Sequence, residues 1–65
     1  MKSIHQYPET CRKQIRRLAH ATGMSADMVY SMMLMVAALM DLRPEDDGVA
    51  EMILADCGIY QEVVA

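Results

Sequence analysis

Leu18-Ala19-His20-Ala21-Thr22-Gly23-Met24-Ser25-Ala26-Asp27-Met28-Val29 holds the joint that decides the fold. Gly23 tolerates the left-handed conformation that ends helices, so it reads as a stop. Ser25 follows as an N-cap that can satisfy an orphan amide of a new helix. Asp27 then sits in a first turn, where the helix dipole favours negative charge. Upstream, Cys11, Ile15, Leu18, Ala19 and Thr22 recur at helical period and form one apolar stripe, while Arg12, Lys13, Arg16, Arg17 and His20 take the opposite side. Pro8 suits the start of this helix because its missing N–H costs nothing there, and Glu9 suits the positive end of the dipole. Tyr7 precedes a proline and is pushed to extended geometry, so residues 2–7 read as an extended lead-in.

Downstream of Ser25 the second helix runs from about Ala26 to Asp41 or Leu42. Its middle, Met32-Met33-Leu34-Met35-Val36-Ala37-Ala38-Leu39-Met40, is apolar on every side. Such a helix expects burial on every side. A chain of 65 residues has too little material to supply that alone, because so short a chain buries only about 60% of its unfolded surface. A partner subunit on one face and more of the same chain on another is the expectation. The uncharged run from Met28 to Met40 is shorter than the roughly 20 residues a bilayer requires, so no membrane span is expected. Arg43-Pro44-Glu45-Asp46-Asp47-Gly48 breaks the pattern, and proline followed by acids reads as a third helix start. Val49, Met52, Ile53 and Cys57 form its apolar stripe, with Ala50 and Leu54 flanking and Gly58 as the stop. The chain thus divides into a unit over 1–42 and a C-terminal helix with its tail over 43–65.

Formal charge is −3 overall but unevenly spread: +3 over residues 1–32 (five cations, two carboxylates) and −6 over 33–65 (one cation, seven carboxylates). The asymmetry suggests either a nucleic-acid face and an acidic face, or two solvated helix faces of opposite sign. An apolar content of 54% excludes a disordered tail. Cys11 and Cys57 read as free thiols in a reducing cytoplasm, and with His5 and His20 they have no zinc spacing. Glu45-Asp46-Asp47 lacks a calcium-loop pattern and is better explained as helix-start charge. No catalytic dyad, metal site or cofactor is expected, and the chain is not read as an enzyme.

Two DNA-binding joints share this layout. Ala19, Gly23 and Val29 have the spacing of a helix-turn-helix. Tyr7-Pro8-Glu9, Ile15, Leu18-Ala19 and Gly23-Met24-Ser25, over about residues 2–38, resemble the ribbon-helix-helix class. That resemblance implies a mainly α fold in which a short N-terminal strand and two helices form an intertwined dimer, here with a third helix added. It implies an antiparallel ribbon in the DNA major groove, with Lys2, Ile4 and Gln6 facing base edges. The start of the second helix, at Met24, Ser25 and Ala26, would hold a phosphate, with Arg12 and Lys13 as further phosphate contacts. Ile15, Leu18, Val29, Tyr30, Met33, Leu34, Ala37 and Ala38 would form the dimer core. Met28, Met32, Met35 and Val36 would be covered by the third helix or by a second dimer. The implied function is a homodimeric, repressor-like regulator of the kind found in phages and plasmids, bound to double-stranded DNA. The alternative is a small helical inhibitor or adaptor that binds a protein through the acidic C-terminal half or a methionine-rich surface, with no nucleic-acid role.

Overall fold

The structure, a computed structural model, describes residues 3–59. After one short 3-10 turn, Ile4–Gln6, come three helices: α1, Glu9–Thr22; α2, Ala26–Met40; and α3, Asp47–Asp56. Each helix packs against the other two.

The ends of α1 and α2 follow the sequence signals. Gly23 closes α1 at φ 74°, and its amide donates to the Ala19 carbonyl. Ser25 caps α2, its Oγ accepting from the Met28 amide at 3.2 Å. The chain bends by 112° between the two helices. At the far end of α2 the left-handed position is Asp41, at φ 56°, rather than a glycine. The Leu42 amide then donates to the Ala37 carbonyl at 2.9 Å, which closes the helix end. α3 begins later than Pro44 suggests. Residues 43–46 form a turn in which the Asp46 carboxylate accepts from the Arg43 amide, and Asp46 occupies the N-cap position.

The core joins Cys11, Ile15 and Leu18 of α1 to Val29, Met33, Val36 and Ala37 of α2 and to Val49, Ala50, Ile53 and Leu54 of α3. Ile15, Leu18, Val29, Met33, Val49 and Ile53 are fully enclosed. Met52 and Cys57, expected on the inner stripe of α3, are exposed; Ala50 and Leu54 take the inner positions instead. Burial raises the pKa of the Cys11 thiol; a hydrogen bond from the Thr10 side chain partly opposes this, and the charge of Glu45 adds to it.

The expected N-terminal strand is absent, and no strand occurs among the described residues. Ser3 and Gln6 instead form a capping box: the Ser3 amide donates to Gln6 Oε1 at 3.0 Å, and Ser3 Oγ accepts from the His5 amide at 3.4 Å. A ribbon needs side chains alternating with period two, whereas a 3-10 turn aligns residues three apart. Ile4 and Tyr7 therefore share a side and both pack on the core. The Tyr7 hydroxyl donates to the Asp27 carboxylate, and its ring stands 5.0 Å from that of Tyr30 at a tilt of 54°. This pins the N-terminal segment across the start of α2, where it cannot pair with a second copy as a ribbon. The described residues thus contradict the expected ribbon-helix-helix fold, showing a helical turn where the strand was expected.

Candidate interaction surface

Ile15, Leu18, Val29, Met33 and Ala37, expected in a dimer core, are buried within a single chain. α3 explains why: it lies against both α1 and α2 and closes the groove that a second copy would have filled. Tyr30 is half-buried beside Tyr7, while Leu34 and Ala38 lie on the outside. Of the four apolar residues expected beneath a third helix or second dimer, Val36 is buried and Met32 half-buried. Met28 and Met35 remain exposed.

What α3 leaves uncovered is one side of α2. Leu39 is 80% exposed, Met35 58%, Met28 54% and Leu34 44%. Met28, Met35 and Leu39 are spaced seven and then four residues apart, so they stand in one row along the helix. Ser31 and Ala38 flank this row and are exposed as well. Leu42 lies beyond the left-handed Asp41 and is turned towards Gly48 of α3, so the row ends at Leu39. No charged side chain interrupts it between Asp27 and Asp41. Withdrawing a Leu or Met side chain fully from water is worth about 1.5–3 kcal/mol, so the four partly exposed residues hold on the order of 5 kcal/mol per chain. Methionine suits such a face because its unbranched thioether adapts to varied partners.

A second, chemically different face lies on α1. Lys13, Arg16 and His20 are exposed and form no ion pair among the described residues. Arg12, expected to reach phosphate, lies 4.0 Å from Glu9 and 3.4 Å from His5 Nδ1. Arg17 lies 3.9 Å from Asp47 and 3.4 Å from Gln14 Oε1.

The expected phosphate cradle is partly occupied by the fold. The Met24 amide donates to Thr22 Oγ1 at 3.2 Å, and Ser25 Oγ serves the Met28 amide. Ala26 is half-buried. Of the base-reading residues, Lys2 lies outside the described residues, Ile4 packs on the core, and Gln6 closes its own turn. Two carboxylates of the acidic C-terminal half are engaged within the chain: Asp46 caps its turn, and Asp47 accepts from Gln14 Nε2 at 2.7 Å. Gln14 Nε2 also donates to the Glu45 carbonyl at 3.2 Å, which ties α1 to α3.

Gln14 was missed as a core position because it is polar. Its place three residues after Cys11 and four before Leu18 puts it on the inner stripe, and this spacing was the available signal. Among the described residues no group of three or more His, Cys, Asp or Glu could hold a metal ion. No single helix among them is long and apolar enough to cross a membrane. Comparison with protein-family models, characterised proteins and solved structures yields no match.

Proposed function

We propose that this chain is a small helical protein-binding module that works through the outer side of α2. The observation that carries the reading is the uncharged row Met28, Met35 and Leu39, left in water although α3 is available to cover apolar surface. Contiguous exposed apolar surface on so small a domain marks an interaction site. The order-of-magnitude burial available favours a reversible contact, since association itself costs about 4–15 kcal/mol. The proposal assigns the protein to the cytoplasm, where an exposed free thiol such as Cys57 is stable.

A test is photo-crosslinking in cells, with a photoreactive amino acid at Met35 or at Lys13. Polypeptide adducts at position 35, lost on Leu39→Asp, are the expected result. Equal adducts at both positions, or none at 35, would overturn the reading.

A second reading is favoured by Lys13, Arg16 and His20: a DNA-binding regulator that holds duplex phosphates along the outside of α1. It ranks below the first because a net charge of −3 opposes a polyanion and because three side chains make a short footprint. Retardation of duplex DNA at low salt, abolished by Lys13→Gln with Arg16→Gln, would reverse the ranking.

A further inference from the structure

We infer that the occupant of α2's outer side is a helix of another polypeptide, apolar along the face it docks and cationic at both ends of that face. The inference rests on reading this side as a docking surface and adds the shape and charge of the partner.

The shape follows from residue spacing. Beside Met28, Met35 and Leu39 runs a second row, Asp27, Ser31, Leu34, Ala38 and Asp41, in steps of four, three, four and three residues, and all of it is exposed. Asp41 keeps its place in this row although its own φ is left-handed, because its position is set by the helix before it and its amide still donates to the Ala37 carbonyl. Alternating steps of four and three make the seam that a second helix packs along, with small Ser31 and Ala38 leaving holes between Met28, Leu34, Met35 and Leu39. The two carboxylates stand about 21 Å apart along it.

The charge follows from the ends of the seam. α2 carries no Lys, Arg or His, so its last turn has no cation to meet the negative end of the helix dipole. Asp41 sits at that end and forms no ion pair among the described residues. At the other end Asp27 is exposed and accepts from the Tyr7 hydroxyl, a neutral donor that leaves its charge uncompensated. Past the turn, residues 43–59 add one cation, Arg43, against five carboxylates. A second copy of this chain, in either orientation, would set carboxylate against carboxylate at both ends of the seam, and an anionic bilayer would meet the same repulsion. A helix with Lys or Arg at both ends meets Asp27 and Asp41 at once and covers the apolar surface between them.

The test is fluorescence anisotropy of a labelled helical peptide of about 18 residues, long enough to span the seam, titrated with the full chain. The peptide has leucines and alanines along one side and lysines at both ends; its counterparts carry Glu or Gln in place of the lysines. The Lys peptide should bind about tenfold or more tighter than the Glu peptide, with the Gln peptide between them. Leu39→Asp decides whether the contact is specific: diffuse attraction to a cationic peptide would rise with the added charge, whereas docking in the seam should weaken by about tenfold or more. Leu39 is 80% exposed, so this variant should keep its helical signal in circular dichroism. Asp27→Asn keeps an acceptor for Tyr7, and asparagine tolerates the left-handed backbone at position 41. Asp27→Asn and Asp41→Asn should each weaken the Lys peptide by about two- to fivefold and leave the Gln peptide unchanged. Equal binding of the Lys and Glu peptides, tighter binding by Leu39→Asp, or a chain whose own sedimentation mass doubles from 7.3 kDa would overturn the inference. Absence of binding by any of the peptides, with crosslinks from position 35 to another polypeptide still formed, would sink this partner alone and leave the protein-binding reading standing.

Discussion

Asp41 shows how a single residue sets the end of the most apolar helix. Left-handed backbone costs an L-residue roughly 1–2 kcal/mol, and a carboxylate at a helix C-terminus also opposes the dipole. Asp41 bears both burdens, at φ 56°. Asp41→Gly removes them and should stabilise the fold by about 1 kcal/mol, net of the entropy glycine loses on folding. Chemical denaturation should show a higher midpoint with an unchanged slope; an unchanged or lower midpoint would contradict the assignment of strain. Gln14 is the opposite case, a polar residue whose bonds to Asp47 and the Glu45 carbonyl make its burial tolerable.

At the scale of elements, α1 and α2 were legible because their signals are local: Pro8, Gly23 and Ser25 mark ends by their own chemistry, and the Cys11–Ile15–Leu18 stripe marks the inner face. The N-terminal segment was not read correctly. Ser3-Ile4-His5-Gln6 carries the spacing of a capping box, yet alternation of Lys2, Ile4 and Gln6 also permits a strand. Tertiary contact decided between them, since Tyr7 has a ring partner in Tyr30 and an acceptor in Asp27, both in α2. Tyr7→Ala should therefore free residues 3–7, seen as faster amide exchange at Gln6 and Tyr7, with α1 and α3 little changed. Exchange at those amides as slow as in the parent would show that the turn holds itself. The start of α3 was blurred for a related reason: Pro44 and Asp46 both suit a helix start, and the Arg43–Asp46 bond selects the later one.

At the scale of the molecule, the sequence carries the tension between an all-apolar helix and a short chain, but not how it is divided. α3 resolves half of it, enclosing Met33, Val36 and Ala37, and leaves Met28, Met35 and Leu39 in water. Of the residues expected to bind a second copy, Ile15, Leu18, Val29, Met33 and Ala37 are enclosed within one chain, whereas Leu34 and Ala38 stay on the outside. The direct measurement of this division is methionine oxidation followed by mass spectrometry, since thioether oxidation tracks exposure. In the folded protein, Met28 and Met35 should oxidise many times faster than the enclosed Met33. Equal rates at Met33 and Met35 in the dilute, folded chain would contradict the account.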